Sequence, residues 1–239
     1  MRALILAGGR GVRLQPYTTV LPKPLLPLDD QPVLEIVLRQ LRAAGVTHVT
    51  LAAGYLPQLF EALFQDGRRL GLAIRYAVEP EPLGTAGPVR ASLDHLGDDF
   101  LVVNGDLLTT ADYRALFEDH VASRAAATVA TCRRELPVDF GVVRAGPDGT
   151  LLGYDEKPAL GLEVSMGINV LSSRAVRAHV EAGERLDMPD LLLRLRDGGE
   201  RVLCRSLPAF WLDLGRVDDY RAAAEVFRAR RREFLPAGP

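Results

Sequence analysis

Lysine is almost missing from this chain of 239 residues. Of its 29 lysine-plus-arginine side chains, 27 are arginine and only two, Lys23 and Lys157, are lysine. Each is followed by proline, in "VLPKPLLPL" (20–28) and "DEKPAL" (155–160). A sequence that elsewhere uses a wide planar guanidinium has kept a compact, rotatable ammonium at two places. A phosphate oxygen in a narrow pocket accepts the ammonium and excludes the fork. The prolines are expected to push each lysine towards extended backbone.

Other absences narrow the function. The two cysteines, Cys132 and Cys204, lie far apart with no metal-ligand spacing, which excludes a disulfide framework or zinc ribbon. Both stand in apolar runs and are expected as small buried hydrophobes. No apolar run approaches the ~18 residues of a membrane span. The apolar stretch of "MRALILAGGRG" is too short for a signal peptide, so the cytoplasm is the default location. The one basic block, "RARRRE" (228–233), ends a helical pattern, where it suits the dipole. With a net charge of −2, nucleic-acid binding has no support. The four histidines, His48, His95, His120 and His179, form no Ser–His–Asp set and read as structural.

What is present is ordinary for a soluble globular protein: 48% hydrophobic and 25% charged residues. Short apolar runs at 3–8, 48–54, 73–79 and 100–106 read as strands. Helical patterns at 33–45, 56–67, 84–96 and 111–123 alternate with them. This βα alternation implies an α/β fold, with a Rossmann-like, mainly parallel sheet flanked by helices. The second half is mixed, with short strands at 126–132, 140–145, 150–156, 167–172 and 201–207 and a closing helix at 217–234. No linker, repeat or low-complexity segment divides the chain. It reads as a single domain, 1–239, with a nucleotide-binding half (1–123) and an elaborating half (124–239).

In such sheets ligands bind beyond the carboxyl ends of the strands. After the first strand comes "LAGGRGVRLQPYTTVLPKP", in which Gly8, Gly9 and Gly11 allow close backbone approach to an anion. Arg10, Arg13 and Lys23 add positive charge. The loop lacks the Walker pattern, and Leu14 breaks the dinucleotide fingerprint, which disfavours an NAD-dependent oxidoreductase. Asp106 ends the fourth strand, as a turn aspartate or a magnesium ligand. Asp213, in "FWLDLG", sits in an apolar context that is costly unless it is paired or metal-bound. Two acids from distant segments could converge on one cation.

"LILAGGRGVRLQPYTTVLPKPLLPL" resembles the signature of the sugar-1-phosphate nucleotidyltransferases. Ordered companions follow: "EPLGTAGP" (81–88), "VNGD" (103–106), "FGVV" (140–143), "EKP" (156–158), "MGINV" (166–170) and "WLDLG" (211–215). The resemblance implies a fold of the nucleotide-diphospho-sugar transferase type. It also implies the reaction of a nucleoside triphosphate with a sugar 1-phosphate to give a nucleotide sugar and pyrophosphate, with Mg²⁺. By the same resemblance, Leu6, Ala7, Gly8, Gly9, Gly11, Glu79, Gly84 and Thr85 would contact the nucleotide. Asn104, Gly141, Glu156, Ser165 and Gly167 would face the sugar phosphate, with Lys157 on the phosphate itself. Arg13 and Lys23 would hold the triphosphate, and Asp106 and Asp213 the metal. Arg13, Lys23, Asp106 and Lys157 form the implied catalytic set. Val12 and Ser165 depart from the usual threonine and asparagine, and the second departure leaves the sugar contacts open.

No left-handed β-helix extension is expected, and homo-oligomerisation is compatible with the resemblance. "EPLGTAGP" looks most like the loop of guanylyltransferases acting on mannose or heptose 1-phosphates. A carboxylate at Glu79 would accept from the paired N–H donors of guanine, which gives a lean to GTP. Uridylyl, thymidylyl and cytidylyl transfer stay open, as does a non-catalytic nucleotide-sugar sensor on the same fold.

Overall fold

A computed structural model of the chain describes residues 1–9, 11–78 and 81–235. The first half holds strands β1 (Arg2–Leu6), β2 (Pro27–Leu28), β3 (Gln31–Pro32), β4 (His48–Ala52), β5 (Ala73–Ala77), β6 (Asp99–Asn104) and β7 (Leu107–Thr109). Its helices are α1 (Val33–Ala43), α2 (Pro57–Phe64), α3 (Gly87–Ser92) and α4 (Tyr113–Ser123). The second half adds β8 (Ala127–Pro137), β9 (Val142–Ala145), β10 (Leu151–Asp155), β11 (Ala159–Ser172), β12 (Val202–Ser206) and β13 (Trp211–Asp213). Helices α5 (Ser173–His179), α6 (Met188–Asp197), α7 (Val217–Ala229) and α8 (Arg231–Phe234) complete it.

Seven strands form one sheet in the order β12-β8-β11-β6-β1-β4-β5. β1, β4, β5 and β6 run parallel, as continuous apolar runs joined by helices dictate. β11 enters antiparallel between β6 and β8, so the two halves share a single sheet. Side chains alternate across it. Ile5, Val103 and Ile168 face one cluster with α1, α2 and α4, while Leu4, Val102 and Leu171 face another with α3, α5 and α6. Helix α1 shows why these residues fold so. Leu34, Val37, Leu38 and Leu41 lie on its sheet-facing stripe, and Gly45 ends it at φ +98°. A third cluster, including Leu28, Ile36, Leu108, Leu214 and Phe227, packs α7 against the β13–β7 ribbon.

The register levels the carboxyl ends of the central strands. Leu6 pairs with Ala52 on one side and Asn104 on the other.

Several expectations change. The fourth strand stops at Asn104 rather than Asp106, because the chain turns there into β7. α5 and α6 were not legible as helices among the short strands. The closing helix is broken at Arg230, whose φ of −122° is not helical. Cys132 is buried, but Cys204 is exposed, on the edge strand β12. Neither lysine is extended. Lys23 opens a 3₁₀ turn, Lys23–Leu25, with Pro24 as its second residue, and Lys157 takes φ +46° in a left-handed turn. Proline restricts the preceding residue's α region, yet local hydrogen bonding and a tight turn override that bias here. Among the described residues, no helix is long and apolar enough to cross a membrane.

Candidate active site

The loop after β1 is shaped by close backbone approach. A β-carbon on Gly8 would lie 3.2 Å from the Gly54 nitrogen, so the loops after β1 and β4 meet where only glycine fits comfortably. Gly11 turns at φ +60°, and a β-carbon there would press on Thr18 and Lys23 at 3.0 and 3.1 Å. Thr18 Oγ1 donates to the Gly11 carbonyl at 2.7 Å, folding the loop back over Lys23. Ala7 is buried, its N–H bound to the Ala52 carbonyl at 2.9 Å. Arg10 lies outside the described residues, as does Glu79. Arg13 is exposed in the 3₁₀ turn Val12–Leu14.

Two connected clefts open over the strand ends. The first, about 620 Å³, is lined by Leu6, Gly8, Gly9, Gly84, Asn104 and Asp106, with Tyr55 and Thr85 among the others. The second, about 410 Å³, shares Leu6, Thr85 and Asn104 with it and adds Ser165, Gly167, Asn169, Trp211 and Asp213. Gly84 sits at φ +78°, where a β-carbon would lie 2.5 Å from the Leu186 carbonyl. Thr85 joins the two halves. Its N–H donates to Asp187 Oδ1 at 3.0 Å, and its Oγ1 accepts from the Met188 N–H at 2.7 Å, at the start of α6. Gly167, at φ +69°, leaves room for the Asn104 amide.

At the junction of the clefts stands Lys23, with its side chain only 11% exposed. Its Nζ contacts Asp106 Oδ2 and lies 3.1 Å from Asp213 Oδ1. Strand pairing explains the convergence of acids 107 positions apart. β13 runs antiparallel to β7, setting Asp213 opposite Leu107, and the Leu214 N–H reaches the Asp106 carbonyl at 3.3 Å. Burial pushes the Asp106 carboxyl above its usual range, while the Lys23 ammonium pulls the other way and Asp213 adds to the rise. In sequence these acids have no neighbouring cation; in the fold both find the same one.

Not every expected site residue is gathered here. Gly141, Glu156 and Lys157 belong to the β9–β10 hairpin, an arm that continues the β8–β11 ladder and closes with Val138 N–H on the Pro158 carbonyl at 2.9 Å. None of them lines either cleft. Glu156 and Lys157 are exposed, and a β-carbon on Gly141 would run into the Tyr154 hydroxyl.

Conversely, Tyr55, Trp211 and Asn169 line the clefts without having been singled out. Trp211 is fixed by its Nε1 donating to the Met166 carbonyl at 2.7 Å and by the Arg134 guanidinium 5.1 Å above its ring. The motifs "WLDLG" and "MGINV" contained Trp211 and Asn169. Membership of a motif does not say which of its side chains faces a cleft; the fold decides that for Trp211 and Asn169.

A family model described as "Nucleotidyl transferase" matches residues 2–229. The chain is 31% identical to a UTP–glucose-1-phosphate uridylyltransferase from Synechocystis sp., over 92% of this chain and 61% of that protein. It is 34% identical to a mannose-1-phosphate guanylyltransferase from Mycobacterium tuberculosis, over 95% of this chain and 64% of that protein. It therefore spans 61–64% of the length of these two curated relatives. Among solved structures, one from Bacillus anthracis, named for glucose-1-phosphate thymidylyltransferase, superposes with a TM-score of 0.78 at 24% identity, covering 95% of each chain. That likeness shows a shared fold.

Proposed function

The chain belongs to the nucleotidyl transferase family, and from that premise we propose that it transfers a nucleotidyl group from a nucleoside triphosphate to a sugar 1-phosphate, releasing pyrophosphate. The observation that carries this reading is the junction itself. Two connected clefts meet where Asp106, lining the first, and Asp213, lining the second, grip one buried ammonium. The nucleotide takes the cleft floored by Gly8, Gly9 and Gly84, and the sugar phosphate takes the one walled by Ser165, Gly167 and Trp211.

The chemistry needs no protein nucleophile. An oxygen of the sugar phosphate attacks the α-phosphorus in line. The new P–O bond forms as the bond from the α-phosphorus to the bridging oxygen breaks, and pyrophosphate leaves with that electron pair. The protein contributes positioning and charge neutralisation. Lys23 stands at the junction to bind α-phosphate oxygens, and Arg13, on the exposed turn beside it, reaches the outer phosphates.

Asp106 and Asp213 fit a magnesium ion. They are two carboxylates from separate segments that converge on one positive charge, and magnesium is held by one or two carboxylates with substrate phosphates completing its shell. Among the described residues no group of three or more His, Cys, Asp or Glu side chains comes together. When bound, the ion neutralises charge on the phosphates.

The donor we favour is GTP with a mannose- or heptose-type 1-phosphate. The guanylyltransferase relative and the "EPLGTAGP" loop support it. UTP is the second reading, supported by the uridylyltransferase relative that matches over the same span. Incubating the protein with Mg²⁺, each nucleoside triphosphate and a panel of sugar 1-phosphates, then reading products by mass, tests both. A GDP-sugar as main product is expected, a UDP-sugar would move the reading to uridylyl transfer, and no pyrophosphate release from any pair would overturn catalysis in favour of a sensor.

A further inference from the structure

Strand β11 passes between β6 and β8, and Asn169 lies directly opposite Val102 on one side and Val129 on the other. Paired residues share a face of the sheet, so the row reads valine–asparagine–valine. Both valines are buried, and Asn169 is only 4% exposed. Its Oδ1 has no hydrogen-bond partner among the described residues. Buried polar groups are normally paired, and an orphan of this kind is costly enough to need an explanation. A third valine would continue the row and leave no orphan.

The explanation lies in the position of the row. Asn169 lines the second cleft, beside Leu6, Met188 and Leu192, which offer no hydrogen bond from their side chains. A ligand that enters this cleft meets on that wall the Asn169 carboxamide among apolar side chains, with the Asn104 amide lining the same cleft two positions beyond Val102 on β6. A carboxamide both accepts and donates, and so does a sugar hydroxyl. We propose that Asn169 is a specificity-determining residue that hydrogen-bonds one ring hydroxyl of the sugar 1-phosphate. The inference rests on the reading of the second cleft as the sugar subsite. It selects hexose-type substrates that carry a hydroxyl at the position facing β11 over the corresponding deoxy sugars. A site built to bind a hydroxyl rejects an analogue lacking it far more strongly than an apolar pocket rejects an extra methylene.

The test compares the wild-type protein with Asn169→Val, which completes the apolar row, and with Asn169→Ser, which is smaller and keeps a hydroxyl. Three quantities are read: thermal stability, calorimetric binding of sugar 1-phosphates and their monodeoxy analogues, and separate KM values for sugar phosphate and nucleotide. Asn169→Val is expected to melt higher, by roughly 2–4 °C. It should bind the sugar phosphate on the order of a hundredfold more weakly, and no longer discriminate against one particular deoxy analogue. Its KM for the nucleotide should stay within about twofold. Asn169→Ser should keep part of the discrimination. A variant that melts lower and weakens both substrates alike would make Asn169 a structural residue and overturn the proposal. So would unchanged sugar-phosphate binding in Asn169→Val. If the wild-type protein binds no sugar 1-phosphate at all, the subsite reading fails together with the proposal.

Discussion

Lys23 and Lys157 look alike in sequence, and the fold separates them. Lys23 is enclosed, its Nζ shared by Asp106 and Asp213. Lys157 is exposed on a turn. The steric case against arginine therefore applies to the first and not the second. Lys23→Arg keeps the charge but puts a planar fork where a point charge sits between two carboxylates. Misplacing charge by about an ångström costs on the order of a hundredfold in kcat/KM, and that is the expected loss. Lys157→Arg is expected to stay within about tenfold, since an exposed side chain has room to reorient. Steady-state kinetics of both variants decide the matter, and equal losses would contradict the distinction. Sequence reading marked both lysines from their scarcity, the prolines that follow them and the motifs that hold them. Their surroundings were out of its reach, because Asp213 comes to Lys23 through a strand pairing 190 residues away.

Elements were legible where burial was complete on both faces. β1, β4 and β6 read correctly because parallel strands covered on both sides are continuous apolar runs, and β5, an edge strand with no buried residue, was the exception. β11 was read only from Gly167 to Ser172, because Ala159–Glu163 projects into the exposed arm and carries little burial signal. α5 and α6 escaped because they are short and arginine-rich, with few buried positions each. The ribbon of β7 and β13 is three residues a side and shows no periodicity, yet it decides where Asp213 stands. The glycines were legible as a pattern, but their reasons are tertiary. At Gly167, φ is +69° and a β-carbon would lie 2.5 Å from Asn104 Nδ2. Gly167→Ala is expected to destabilise the protein by about 1–3 kcal/mol and to weaken sugar-phosphate binding by displacing Asn104. Denaturant melts and calorimetry check the two effects, and a silent substitution would show that the loop relaxes.

At the scale of the whole molecule, one sheet ties both halves together, and His120 sits buried beneath it. Its Nδ1 lies 2.8 Å from Thr128 Oγ1, joining α4 to β8, and its Nε2 has no hydrogen-bond partner among the described residues. Burial holds the imidazole's pKa below its ordinary value, with Asp99, 3.5 Å from Nε2, opposing the shift. A depressed histidine favours the folded state above its unfolded pKa of about 6.5. That stability is lost as pH falls from there through the folded value, because the unfolded chain takes up the proton first. The wild-type protein is therefore expected to lose stability between about pH 7 and 5 more steeply than His120→Gln. Chemical denaturation at several pH values measures both slopes, and identical slopes would remove His120 as a source.

If Asp106 and Asp213 hold magnesium as proposed, the ammonium they clasp makes the junction an ion exchanger. A divalent ion arriving alone would have to evict a largely buried amine that then has nowhere charged to go. An ion arriving with a triphosphate brings the amine its next counter-charge, so the swap proceeds without stranding either. On the proposed reading, cation uptake and nucleotide uptake are expected to be coupled, each weaker without the other. Titrating Mn²⁺ into the nucleotide-free protein should show weak binding, tightened about tenfold or more by a non-hydrolysable triphosphate or by Lys23→Met. Tight Mn²⁺ binding to the nucleotide-free wild-type protein would show that the amine yields freely.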